Sequence, residues 1–103
     1  MELSIVIPAL NEEHKIQTDV RAAARFLQEE GLTGEIVVVD DGSMDDTAEV
    51  AGNTHVPDSV GVRVMRLHRN YGKGRAVGEG IVASRGEYVM FMDSGLCVPM
   101  SYT

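Results

Sequence analysis

The sequence predicts an α/β protein with a three-layer α/β/α, Rossmann-like architecture built around a mostly parallel sheet. Apolar, β-branched runs alternate with amphipathic stretches in the order β-α-β-α-β-α-β. The run at residues 37–39 is valine only, as in a strand that helices cover on both faces. It stops at Asp40 and Asp41 and turns through Gly42. These features predict right-handed crossovers and strand carboxyl ends gathered at one sheet edge, where open α/β sheets bind ligands.

Strand one is predicted at residues 3–7, because this apolar run ends at Pro8, which has no N–H for a strand ladder. The first helix is predicted to have Asn11 as its N-cap and two glutamates in its first turn, and to end near Gly31. Its apolar residues recur at helical spacing: Ile16, Val20, Ala24 and Leu27.

Strand two is predicted at residues 35–40. Ser43 is a natural N-cap for the second helix, and Asp46, three residues later, adds negative charge in its first turn. This helix is predicted to end near Gly52, and residues 53–61 form a surface connection.

Strand three is predicted at residues 62–67 and is followed by a polar, basic loop at residues 68–74. Helix three then covers about residues 74–84, and strand four covers residues 87–92 and ends at Asp93. Small residues along helix three predict a close approach to the sheet: Ala76, Gly78, Gly80 and Ala83.

The composition predicts one soluble, globular domain over residues 1–103, short for a complete α/β enzyme. Its net charge of −7 argues against nucleic acid as a partner. Basic residues nevertheless cluster in one segment: Arg66, His68, Arg69, Lys73 and Arg75. This cluster suits a small anion such as pyrophosphate, and the alternative is a solvated loop.

The single cysteine, Cys97, permits no internal disulfide and offers no metal-binding pair, so it is expected to be a small buried hydrophobic residue. The sequence contains no signal-peptide pattern and no apolar run long enough to span a membrane. A cytoplasmic location is therefore expected, with peripheral membrane contact in a longer form of the protein.

The predicted sheet edge gathers residues 8–13, the Asp40–Asp41 pair, residues 68–74 and Asp93. Carboxylates there could accept hydrogen bonds from a nucleobase or ribose, or coordinate a divalent cation on a pyrophosphate that Lys73 also reaches. The alternative is that Asp40 and Asp41 only form the turn and bind local backbone N–H groups.

Three segments, in this order along the chain, resemble family 2 glycosyltransferases of the GT-A fold, with similarity to the polyprenyl-phosphate sugar synthases: SIVIPALNE at residues 4–12, VVDDGS at 38–43 and NYGKG at 70–74. The resemblance covers nearly the whole chain. It implies a hexosyltransferase with a UDP- or GDP-sugar as donor and a polyprenyl phosphate as an acceptor. The nucleotide-sugar-binding residues that it implies are Pro8, Ala9, Asn11, Glu12, Asp40, Asp41, Gly72, Lys73 and Asp93. It places residues 8–12 and Asp41 on the ribose and base, and residues 72–74 in the nucleotide pocket. Within this site, Asp41 is expected on the base, Lys73 near the diphosphate and Asp93 on the metal or the ribose.

The sequence departs from the family pattern after strand four. The family usually has an Asp-X-Asp motif that binds Mg²⁺ or Mn²⁺ there, whereas this chain reads Asp93-Ser94-Gly95. Asp93 matches as a metal ligand, but Gly95 has no side-chain ligand to offer. The acceptor-binding half and the catalytic base would follow Asp93, so the chain is interpreted as a truncated GT-A domain, its donor-binding half. By itself it is expected to bind nucleotide without transferring sugar.

Two other classes of protein compete with this interpretation. A dinucleotide-binding domain would explain the glycines at 72, 74 and 78, but its fingerprint belongs after the first strand. A receiver-like signalling module also gathers acidic residues at strand ends, but its acidic pair would follow strand one rather than strand two.

The topology of the family that the chain resembles implies a central strand one, with strands two and three on one side and strand four on the other. This order leaves strand four at an edge of the sheet. Its apolar residues, together with unpaired backbone groups, invite pairing with another chain. A homo-oligomer is therefore expected, formed through the strand-four edge or through packing of residues 96–103 on a neighbour.

Overall fold

The computed structural model describes residues 1–93 and 96–99, which form five strands and three helices. The elements in chain order are β1 (Leu3–Ala9), α1 (Ile16–Glu29), β2 (Gly34–Asp40), α2 (Thr47–Gly52), β3 (Val60–Arg66), α3 (Lys73–Ala83), β4 (Tyr88–Asp93) and β5 (Leu96–Pro99).

The sheet has the order β3-β2-β1-β4-β5, and its first four strands are parallel. β1 is central, with Val6 opposite Val37 of β2 on one side and Phe91 of β4 on the other. This confirms the predicted α/β class and the predicted order of the first four strands. The carboxyl ends of β1, β2, β3 and β4 consequently lie at the same edge.

The two faces of the sheet are covered by different helices. On one face, Ile5 and Ile36 pack with Val20 and Leu27 of α1, and all four side chains are fully buried. On the other face, Val6 belongs to a second buried cluster, with Val37, Val39 and Ala76 of α3. Alternate residues of β1 and β2 thus enter opposite layers, so both strands read as continuous apolar runs.

Helix α3 approaches the sheet most closely at Gly80. A Cβ atom at this position would lie 2.4 Å from Val6 Cγ1 and 3.0 Å from Val39 Cγ2. A Cβ atom at Gly78 would meet no atom within 4 Å. The predicted role of small residues is therefore correct for Gly80 and wrong for Gly78.

The predicted N-caps of the first two helices are wrong. α1 begins at Ile16 and α2 at Thr47, and neither has a side-chain cap. Asn11 (φ 52°) and Ser43 instead join the loop after β1 to the loop after β2. The Asn11 N–H donates to Ser43 Oγ at 2.8 Å, and the Met44 N–H donates to Asn11 Oδ1 at 2.8 Å. Because each polar side chain is used between loops, neither is available to begin a helix.

The prediction that β4 forms an edge of the sheet is also wrong. β5 pairs with it antiparallel, with Met90 opposite Pro99 and Asp93 opposite Leu96. Sequence periodicity did not indicate β5, because the strand is only four residues long and ends in proline. The homo-oligomer expectation relied on this edge and stays a prediction. The Cys97 side chain lies outside the described part of the structure.

A buried carboxylate joins strands at the opposite edge of the sheet. Glu35, only 2% exposed, accepts hydrogen bonds from Ser4 Oγ (2.7 Å), Arg63 Nε (2.9 Å) and the Arg85 N–H (2.8 Å). Burial by itself would raise the pKa of Glu35, but these hydrogen bonds together outweigh burial and lower the pKa. The ionised carboxylate thus fixes β1, β2, β3 and the α3–β4 connection to one another.

Candidate functional site

Three loops meet at the carboxyl edge of the sheet: the β1–α1 loop (residues 10–15), the β2–α2 loop (41–46) and the β3–α3 loop (67–72). The first two are joined by backbone-to-side-chain hydrogen bonds beyond those of Asn11. The Glu12 N–H donates to Thr47 Oγ1 at 2.8 Å, and the Glu13 N–H donates to Asp45 Oδ2 at 3.2 Å. The two loops therefore form one connected wall.

Asp41 fixes the third loop to this wall. Its Oδ1 accepts the Tyr71 N–H at 2.8 Å, and its Oδ2 accepts the Gly72 N–H at 3.0 Å. Its own N–H donates to the Ala9 carbonyl at 2.8 Å, so the residue touches all three loops or their strands. Beside it, Gly42 (φ 75°) leaves no room for a side chain, since a Cβ atom there would lie 2.4 Å from the Arg69 carbonyl carbon.

The loops enclose an open cleft of about 530 Å³. Six of the nine residues predicted to bind a nucleotide sugar line it: Pro8, Ala9, Glu12, Asp41, Gly72 and Lys73. The remaining lining residues are Ile7, Leu10, Lys15, Asp19, Asn70, Ala76 and Met92. The cleft therefore combines an apolar floor from the strand ends with carboxylates, an amide and amines.

The structure places two of the other predicted site residues outside this lining. Asn11 joins loops, as described above. Asp40 is 1% exposed, and its Oδ1 accepts the Ser43 N–H at 2.9 Å. Its Oδ2 makes no hydrogen bond, although Arg66 Nε lies 3.7 Å away. Asp40 thus forms the turn after β2, as the turn-forming alternative states, whereas Asp41 bonds a distant loop.

The ninth predicted residue, Asp93, ends β4 at the same sheet edge, two residues after Phe91, the partner of Val6. Its side chain lies outside the described part of the structure, as do Ser94 and Gly95. Among the residues that are described, no group of three potential ligands is positioned to hold a metal ion.

The acidic side of the cleft is only partly neutralised. The pKa of Glu12 is raised, mainly by burial and also by the negative charges of Asp19 and Asp45. The positive charges of Lys15 and Lys73 lower this pKa but do not cancel the increase. Lys15 Nζ also lies 2.6 Å from Asp19 Oδ2, in an ion pair one helical turn apart. Our prediction from sequence missed Lys15 and Asp19, although their i, i+4 spacing at the start of α1 was a usable signal.

The predicted basic cluster does not act as one unit. Lys73 lines the cleft, whereas Arg66 lies beside Asp40. His68, Arg69 and Arg75 gather around Tyr71, outside the lining of the cleft. The positive charge of this segment is thus divided between the cleft and its rim.

Comparison with known proteins gives consistent matches. The model of the family described as "Glycosyl transferase family 2" matches residues 4–101. The dolichyl-phosphate beta-glucosyltransferase of Dictyostelium discoideum is 37% identical over 98 residues, which are 89% of this chain and 30% of that protein. The chain thus spans about a third of the length of such curated relatives.

Solved structures agree with this match. S. aureus TarS in complex with UDP is similar with a TM-score of 0.73 and 27% identity, over 92% of this chain and 28% of that one. Glucosyl-3-phosphoglycerate synthase from Mycobacterium tuberculosis, in complex with Mn²⁺, UDP and glucosyl-3-phosphoglycerate, has a TM-score of 0.65 and 30% identity, over 90% of this chain and 33% of that one. Both contain a nucleotide, and one contains a divalent cation.

Proposed function

The chain belongs to glycosyl transferase family 2, and on this premise we propose that its cleft binds the nucleoside diphosphate of a UDP- or GDP-sugar, as the donor-binding part of a glycosyltransferase. The family match favours this function over a dinucleotide-binding domain or a receiver-like module. The single observation that carries the proposal is that Asp41, in the β2–α2 loop, and Lys73, the first residue of α3, line the same cleft.

Asp41 has the chemistry to recognise a base. A carboxylate has about four acceptor positions, and the Tyr71 and Gly72 N–H groups use two of them. The others can accept an imino or amino N–H from uracil or guanine. Because Asp41 is 3% exposed and held by backbone groups, it would meet the base in a fixed orientation.

Lys73 is suited to the diphosphate. It is the first residue of α3 and follows Gly72, so the ammonium group and the start of the helix both present positive charge to this side of the cleft. Glu12, whose pKa is raised by burial, offers a second acceptor toward ribose hydroxyls. Pro8 and Ala9 supply apolar surface at the end of β1.

We also propose Asp93 as a ligand for Mg²⁺ or Mn²⁺. Its position at the end of β4, on the cleft edge of the sheet, supports this, as does the Mn²⁺ in the mycobacterial relative. A cation bound there would neutralise diphosphate charge. Gly95 cannot add a second carboxylate, so this chain is expected to depend on the cation less than proteins with a complete Asp-X-Asp motif.

The acceptor proposed for the whole enzyme is a polyprenyl phosphate, because relatives 37% and 39% identical to this chain are named as dolichyl-phosphate beta-glucosyltransferases. A cytoplasmic location at the membrane surface fits such an acceptor. No helix in the described part of the chain is long and apolar enough to cross a bilayer. The isolated 103-residue chain is expected to bind donor without transferring sugar.

Calorimetric titration with UDP and GDP, each with and without Mn²⁺, tests the proposal, and NADH tests the dinucleotide alternative. One nucleotide is expected to bind, and Lys73→Met should weaken it about tenfold or more, the effect of losing a charge-assisted hydrogen bond. Arg25→Met, an exposed change on α1, removes the same charge as a matched control. Binding of NADH alone, or equal weakening by both variants, would contradict the proposal.

A further inference from the structure

Positive charge is concentrated in one part of this acidic chain. Residues 59–78 contain no aspartate or glutamate and carry five of the nine lysine and arginine residues, whereas the whole chain has a net charge of −7. Lys73 of this segment lines the cleft. Two of the other basic residues, Arg69 and Arg75, lie in the β3–α3 loop and the first turn of α3.

Tyr71 organises this surface charge. The guanidinium carbons of Arg69 and Arg75 lie 4.8 Å and 4.7 Å from the centre of its ring. Its hydroxyl lies 2.8 Å from His68 Nε2, and the two rings meet edge to face with centroids 5.3 Å apart. One aromatic ring thus holds three basic side chains within a few ångströms of itself, and the two guanidinium carbons can be no more than about 10 Å apart.

Among the described residues, only one of these two arginines has a carboxylate at ion-pair distance. Within the described residues, no carboxylate lies at salt-bridge distance from Arg69. In the same described part of the chain, Glu79 is the one carboxylate at ion-pair distance from Arg75, with Nε and Oε1 3.8 Å apart, too far for a hydrogen bond. Because both guanidinium groups contact one ring, an anion bound beside the ring would be attracted by both charges. Contact with the ring leaves the guanidinium N–H donors available for that anion.

The cluster is held at the rim of the cleft. The backbone N–H groups of Tyr71 and Gly72 are bonded to Asp41, so the loop that carries the cluster is fixed to the cleft wall. Residues of this loop alternate in direction: Asn70 and Gly72 line the cleft, whereas Arg69 and Tyr71 do not. An anion on the outer side would therefore lie beside a bound nucleotide without occupying its place.

We propose that His68, Arg69 and Arg75, ordered by Tyr71, form a second anion site that binds a phosphate monoester at the rim of the cleft. A monoester carries nearly two negative charges and three acceptor oxygens, which matches two guanidinium forks and an imidazole. The ligand is a phosphate group carried either by a lipid or by a soluble compound. Its identification with the acceptor phosphate rests on the proposed function, whereas the existence of the site does not.

The test is an NMR titration of the ¹⁵N-labelled chain with inorganic phosphate, in which chloride is exchanged to keep the ionic strength constant. The arginine Nε–H signals and the Tyr71 amide are expected to shift with saturation. The double variant Arg69→Gln/Arg75→Gln should weaken binding at least tenfold, because it removes two charge-assisted contacts. Arg21→Gln/Arg25→Gln, an equal loss of exposed charge on α1, should leave binding unchanged.

A second arm separates the two ligand sources and the role of the ring. Flotation with phosphatidylcholine vesicles, with and without phosphatidic acid, reports a lipid phosphate, and glycerol 3-phosphate in the NMR titration reports a soluble one. Tyr71→Leu should weaken the binding of either ligand several-fold. Tyr71→Phe, which keeps the ring contacts, should retain most of the wild-type affinity.

Each result decides between the two proposals. Absence of saturable binding in both arms, or equal loss in the two arginine pairs, overturns the second site. Phosphate binding by a chain that binds neither UDP nor GDP overturns the proposed donor function and leaves the second site standing. Nucleotide binding without any phosphate binding overturns the second site and leaves the proposed donor function standing.

Discussion

The Asp41 carboxylate accepts the backbone N–H of Gly72 at 3.0 Å, joining two loops that are 31 positions apart in the sequence. With the Tyr71 N–H on its other oxygen, it satisfies two donors of the loop that leads into Lys73 at the start of α3. A residue proposed to recognise the base is thus also the residue that positions the diphosphate side of the cleft. Changes at Asp41 should therefore affect stability and nucleotide binding together.

We expect Asp41→Ala to abolish nucleotide binding and to lower the free energy of unfolding by about 2–4 kcal/mol, because two N–H groups in the loop lose their acceptor. Asp41→Asn, which keeps one acceptor oxygen, should cost less stability but still impair binding. Urea unfolding and UDP titration measure the two effects. Asp46→Ala removes an exposed carboxylate that caps no helix and serves as the control. Normal affinity in Asp41→Ala would remove the residue from the site.

Helix α3 offers a comparison between two glycines on the same helix. Gly80→Ala should destabilise the chain, because its Cβ would lie 2.4 Å from Val6 Cγ1 in the closely packed layer. Gly78→Ala, which has open space, should instead stabilise it by up to about 1 kcal/mol through helix propensity. Thermal unfolding of both variants checks the opposite signs. Equal effects would mean that α3 does not pack as described.

The sequence predicted those features of the fold that depend on neighbouring residues in the chain, and missed those that depend on contacts between distant segments. The four parallel strands were predictable because apolar runs such as residues 36–39 record burial directly in the sequence. The N-caps at Asn11 and Ser43 were not, since loop-to-loop hydrogen bonds need the same side chains as helix caps. The short strand β5 lacked enough residues for a periodic pattern.

For the site, the sequence predicted which segments meet but not what each side chain does there. The convergence of strand ends placed Asp41 and Lys73 together correctly, because topology alone determines that edge. Sequence could not separate the roles of Asp40 and Asp41, which depend on the direction in which each side chain leaves the end of β2. Nor could it indicate that Glu35 is buried, since its partners lie 28 to 50 positions away.

Acid should destabilise the chain through Glu35. Since its pKa is lower in the folded protein than the ordinary value of 4.5, the folded state favours the ionised form. The resulting stability is present above pH 4.5 and is lost as the pH falls through the lower, folded-state pKa. Urea unfolding between pH 7 and pH 3 should show this loss. Glu35→Gln should be less stable at pH 7 and show a shallower decline in acid, whereas Glu30→Gln, an exposed change, should follow the wild type.

Strand β5 should keep the chain from associating through β4. Its antiparallel pairing covers the backbone groups of β4 from Met90 to Asp93, which would otherwise form an open edge beside apolar side chains. We expect a chain shortened to residues 1–93 to associate more strongly than the full chain, because the β4 edge is then open. Light scattering after size-exclusion chromatography of both chains, at about 0.1 mM, well above the micromolar affinities of modest interfaces, measures this difference. Equal masses for the two chains would show that the β4 edge is not a site of association.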